Sequence, residues 1–131
     1  MKFDIAALSK ALQTACPQVT FALLHGSAKD GEAKEGSDID IALYIDGKPT
    51  FEILRKAMDA VYELGPQAKP DVGILNNAEP VYRFEALKGK LLFGRDRAKY
   101  AEFFSLTCRE YECQIVDYQR QHNYRLEAKL A

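Results

Sequence analysis

Two aspartates sit where an apolar strand would not tolerate them without a reason. In "LLHGSAKDGEAKEGSDIDIALYI" (23–45), Asp38 and Asp40 open a run that alternates Ile39, Ile41, Leu43 and Ile45 with Ala42 and Tyr44. Alternate residues of a strand point to one face, so Asp38 and Asp40 lie side by side opposite the isoleucines. Two carboxylates at that spacing repel each other unless a cation stands between them. An Arg or Lys would serve. A divalent metal serves better and has a use, because Mg2+ takes one or two carboxylates and fills its other positions with water and substrate phosphates. A third carboxylate from a neighbouring strand would complete a two-metal site for in-line displacement at phosphorus. Asp71, at the start of "PDVGIL", is the natural third.

The loop just before the aspartates suits the same chemistry. Gly26 lets the backbone approach an anion, and the free N–H groups and hydroxyl of Gly26-Ser27 would bind phosphate oxygens, with a helix opening after them. No Gly-Lys-Ser/Thr follows, so this is not a Walker loop, and "DIDIALYIDG" lacks the ligand spacing of a calcium loop. His25, directly before the glycine, reads as a strand-end side chain that packs locally.

The remaining elements must hold these groups. "DIAALSKALQTA" (4–15) places Ile5, Leu8, Leu12 and Ala15 on one helical face. "VTFALLH" (19–25) is a buried strand, 38–45 a second, and Thr50 caps a helix through "FEILRKAMDAVYEL" that buries Phe51, Leu54, Met58 and Val61. Residues 70–75 are a third strand, 80–88 a short helix opened by Pro80, and 90–93 a fourth short strand. A long helix from Asp96 to about residue 121 carries a stripe of Phe104, Cys108, Tyr111, Ile115 and Tyr118, read as core. Strands alternating with helices predict a mixed α/β domain: three to four strands in a small mixed sheet flanked by helices. One domain is expected over 1–131, with its core at about 19–95 and its C-terminal helix at about 96–121.

Composition narrows the classes. A net charge of -1 provides no basic field, which argues against general nucleic-acid binding. Six basic residues cluster in 83–99, among them Arg83 and Lys88, and read as a solvated surface or as a patch for phosphates or an acidic partner. Three cysteines without a CxxC pair fit a reduced, cytoplasmic protein. No secretory leader and no membrane span are expected, since Asp4 and Lys10 interrupt the N-terminal apolar positions.

The combination of Gly26-Ser27, ten residues, then Asp38-Ile39-Asp40 resembles the DNA polymerase β-type nucleotidyltransferase superfamily. The short chain, and "PDVGILNNAEPVYRFEALKGKLLFGRDRAKY" after the motif, resemble its minimal nucleotidyltransferases, many of which are antitoxins of HEPN/MNT toxin–antitoxin pairs. The resemblance covers roughly residues 19–110. It implies a polymerase β-like fold in which Gly26 and Ser27 hold the triphosphate of ATP. Asp38 and Asp40 would bind two Mg2+ ions, and Asp71 would support one metal and act as base. Members often carry an Arg in the loop after the Gly-Ser pair; here Lys29, followed by Asp30, takes that place. The resemblance further implies a hetero-oligomer with a HEPN ribonuclease toxin that is inactivated when AMP is added to one of its tyrosines. Two other readings stand beside it: an antitoxin that only covers its toxin, and a nucleotidyltransferase acting on a small molecule.

Overall fold

The computed structural model describes residues 1–34 and 36–130. Its elements run α1 (Ile5–Ala15), β1 (Val19–His25), a single 3-10 turn (Gly26–Ala28), β2 (Ile39–Ile45), α2 (Phe51–Tyr62), β3 (Pro70–Ile74), α3 (Pro80–Leu87), β4 (Lys90–Gly94) and α4 (Arg97–Leu130). Asp4 caps α1 by accepting from the Ala6 N–H, and Thr50 caps α2 by accepting from that of Ile53. The four strands form one mixed sheet in the order β3-β2-β1-β4. β2 and β3 are parallel, and β1 is antiparallel to both its neighbours. This is the α/β arrangement expected from the sequence.

Both faces of the sheet are covered, which the alternation in β2 did not disclose. On one face Leu8 and Leu12 of α1 and Ile53, Ala57 and Val61 of α2 close over Val19, Leu24, Ile39, Ile41 and Leu43. On the other, Ala86 of α3 and Phe103 of α4 close over Phe21, Leu23 and Ala42, and Tyr44 stacks on Phe21 at 4.9 Å between ring centroids. The end of this second face that carries Asp40 is left open.

Two helices differ from expectation. α2 buries Ile53, Ala57, Ala60 and Val61, while Phe51 stays 74% exposed. Small alanines let the helix lie close to the sheet, so the packed face is set by shape rather than by the largest apolar residues. α4 is longer than expected, 34 residues, or about 51 Å at 1.5 Å per residue. Its packed part ends near Tyr111, which stacks on Phe84 of α3 at 3.9 Å. Phe103 and Thr107 are buried, whereas Phe104, Ile115 and Tyr118 of the stripe read as core are exposed. The body beneath the helix ends with the short α3, so among the described residues the later turns have nothing to pack against.

Two members of the basic cluster, Arg83 and Arg95, are spent on backbone carbonyls, while Lys88, Lys90, Arg97 and Lys99 stay on the surface. Arg83 donates to the carbonyls of Leu75 and Asn76 and pairs with Glu110 at 3.7 Å, and Lys88 pairs with Glu85. Arg95 donates to the carbonyls of Val19 and Gln13, tying the end of α1 to the start of β1. Cys16, Cys108 and Cys113 are free thiols. No helix is long and apolar enough to cross a membrane among the described residues.

Candidate active site

Strand register assembles the site. His25 of β1 pairs with Asp40 of β2, and Asp40 pairs with Asp71 of β3. The three side chains therefore form one row across three strands, on the face that carries Leu23, Ala42 and Gly73 in the next row. Because α3 and α4 cover the inner rows, the ionisable row lies at the uncovered edge.

Asp40 is the centre of this row. Burial raises its pKa first, a hydrogen bond with the Asp71 side chain next, and then the charges of Asp71 and Asp38; together they push it to about 6. Like charge crowded around Asp40 is a repulsion that a cation would relieve. Asp38 stands exposed one residue before β2.

The turn after β1 presses onto this carboxylate. Gly26 has φ +72°, and a Cβ there would overlap Oδ2 of Asp40. Glycine is required twice over, for the left-handed backbone and for the close approach. Ser27 and Lys29 are exposed beyond it, while Ala28 is buried as the anchor of the turn. The turn is a single 3-10 turn and does not open an α-helix as expected, so the anion-binding groups are those of the turn alone. The N-terminal residues hold the loop that follows: the Met1 ammonium donates to the Ala33 carbonyl at 2.7 Å, and the Phe3 N–H to that of Gly31 at 2.9 Å.

Sequence reasoning missed two residues here. His25 was read as local packing, yet register brings it into the carboxylate row. Its ring meets Tyr82 of α3 edge-on at 5.7 Å, and its Nε2 is buried without a hydrogen-bond partner among the described residues. Burial lowers its pKa, against the opposing pull of Asp71 and Glu85. Tyr82 reaches across the sheet so that its hydroxyl occupies the space a Cβ of Gly73 would need. Burial raises the Tyr82 pKa, with the charges of Asp71 and Asp40 adding to it. The glycine in "PDVGIL" was the available signal: inside a strand it marks a close approach.

Among the described residues, no three His, Cys, Asp or Glu side chains converge to form a ready-made metal cage. The donor set nonetheless suits Mg2+. It is all oxygen, it comes from adjacent strands, and the like charges crowded around Asp40 mark a site that a cation would relieve. Mg2+ needs only one or two carboxylates when substrate phosphates and water complete its shell. A cavity of about 590 Å3 lies at the opposite end of β1 and β2, lined by Thr20, Tyr44, Asp46, Arg95 and Lys99 among others, away from this chemistry.

Residues 7–98 match the family described as Polymerase beta, Nucleotidyltransferase. The chain belongs to this nucleotidyltransferase family. No curated protein matches it. Solved structures share the family's fold at low identity. A chain from the MntA–HpeT toxin–antitoxin carrying two Asp-to-Glu substitutions is 18% identical, with a TM-score of 0.76 over 94% of this chain and 98% of that one. One from a toxin–antitoxin with AMP-PNP is 19% identical, with a TM-score of 0.73 over 94% and 98%. A third comes from the tri-AMPylated Shewanella oneidensis HEPN toxin in complex with its MNT antitoxin, at 20% identity and TM-score 0.66 over 89% and 91%.

Proposed function

We propose that this nucleotidyltransferase is an antitoxin that transfers AMP from ATP to a tyrosine hydroxyl of a partner HEPN ribonuclease and thereby inactivates it. The observation that carries the reading is the order of groups across three strands: the Gly26 turn after β1, Asp40 on β2 and Asp71 on β3. In-line displacement at phosphorus needs the leaving group and the nucleophile on opposite sides of the reacting atom. The backbone of Gly26, the Ser27 hydroxyl and the Lys29 ammonium hold the triphosphate on the β1 side. Asp38, Asp40 and Asp71 would hold two Mg2+ ions, whose positive charge would offset that of the phosphates. Asp71 takes the proton of the acceptor hydroxyl from the β3 side. Added AMP places bulk and negative charge on the ribonuclease, which opposes binding of RNA. The similarity to chains from an AMP-PNP complex and from a complex with a tri-AMPylated HEPN toxin supports donor and partner. Three free thiols fit a reducing, cytoplasmic setting.

The test uses Mg2+ and ATP labelled at either the α or the γ phosphate, with a HEPN partner present. Label on the partner from the α position alone is the expected result, and it disappears in a folded Asp38→Asn variant. Label from the γ position, or full transfer by Asp38→Asn, refutes the assignment. A second reading, inhibition by covering the toxin, is favoured by the exposed outer turns of α4, which offer a long contact surface. A folded Asp40→Asn variant that still binds and fully silences the partner would select it.

A further inference from the structure

We propose that Tyr82 is itself an acceptor, so that the protein adenylylates its own chain there; the inference rests on the nucleotidyl transfer proposed above. The leaving pyrophosphate belongs on the β1 side of the row, at Gly26 and Ser27, and the attacking oxygen must then enter from the β3 side. Tyr82 supplies a hydroxyl on that side. It lies over Gly73, which follows Asp71 by two residues on the same face of β3. Two strand residues span about 7 Å, so the phenol oxygen stands within a side chain's swing of the Asp71 carboxylate.

The local construction keeps it there. Gly73 provides the notch, and any side chain at 73 would expel the phenol. His25 braces the ring edge-on from the β1 side. The ring is only half-buried.

The step balances without another reactant. The Tyr82 oxygen bonds to the α-phosphorus of ATP, and its proton passes to Asp71. The bond from the α-phosphorus to the bridging oxygen breaks, and pyrophosphate leaves with the electron pair. The product is an AMP phosphodiester on the phenol. Lying across the β3 side, it closes the approach of any other acceptor, so self-modification would switch the enzyme off.

The full-length protein is incubated with Mg2+ and ATP without a partner, and read by intact mass and fragment mapping. Residues 57–83 contain Tyr62 and Tyr82 as their only hydroxyl side chains, so fragment ions separate the two. The expected result is one added AMP per chain, on Tyr82, at a rate independent of protein concentration. It should be lost in Tyr82→Phe, which keeps the ring and its packing, and in Asp71→Asn. AMP on another residue, or undiminished labelling of Tyr82→Phe, overturns the proposal. So does an unmodified Tyr82 in a preparation that labels a HEPN partner; in that case transfer stands and self-modification falls. Absence of label on both chain and partner overturns transfer and self-modification together.

Discussion

Replacing Asp40 by Asn should stabilise the metal-free protein at neutral pH while abolishing transfer. The Asp40 pKa rises from 3.8 to about 6 in the folded chain. The folded state therefore holds more protons than the unfolded state between those values. Its stability is fully present below the unfolded pKa, falls as pH rises through the folded pKa, and carries the whole penalty above pH 6. A shift of this size corresponds to at most about 3 kcal/mol. Asp40 is partly open to water, so screening reduces this to about 1 kcal/mol. In a domain of this size that is a change of about 3–5 °C in Tm. The assay is a thermal melt of wild type and Asp40→Asn in chelator at pH 4.5 and pH 7.5, repeated with Mg2+ and a non-hydrolysable ATP analogue. The variant should melt higher than wild type at pH 7.5, with most of that gap closed at pH 4.5. Mg2+ with the analogue should stabilise only the wild type, and only above about pH 6. A variant that melts lower at pH 7.5, or responds equally to Mg2+, would refute the account of a crowded carboxylate relieved by a cation.

Gly26→Ala forces a left-handed residue at φ +72° and drives a methyl into Asp40; a loss of about 1–3 kcal/mol is expected, with transfer lost even below Tm. Arg95→Ala removes the guanidinium that binds the Val19 and Gln13 carbonyls, and should cost about 2 kcal/mol in chemical denaturation while the remaining folded protein keeps its activity. Truncation after Tyr111 deletes side chains that are exposed throughout the described part of α4. It should change the stability of the remaining body by no more than about 0.5 kcal/mol, and a larger loss would mean that the outer turns support the fold.

The sequence by itself determined what is local. Period-2 alternation places Asp40 on the face of β2 opposite the isoleucines, a Gly-Ser pair marks the turn before it, and Thr50 and Pro80 mark helix starts. Each depends on neighbours in the chain, so strands and helices were legible to within a few residues, with α4 the main exception. Tertiary structure decided what depends on register and on shape. His25, Asp40 and Asp71 become one row only because an antiparallel and a parallel pairing meet at Asp40, and no spacing along the chain encodes that alignment. Tyr82 reaches the row because Gly73 leaves a space and α3 crosses above it. α2 turned its alanines inward, and the apolar stripe of α4 ran past the end of the body that would have buried it. A helical stripe states which residues can face a partner; whether one is there depends on surfaces contributed by distant parts of the chain.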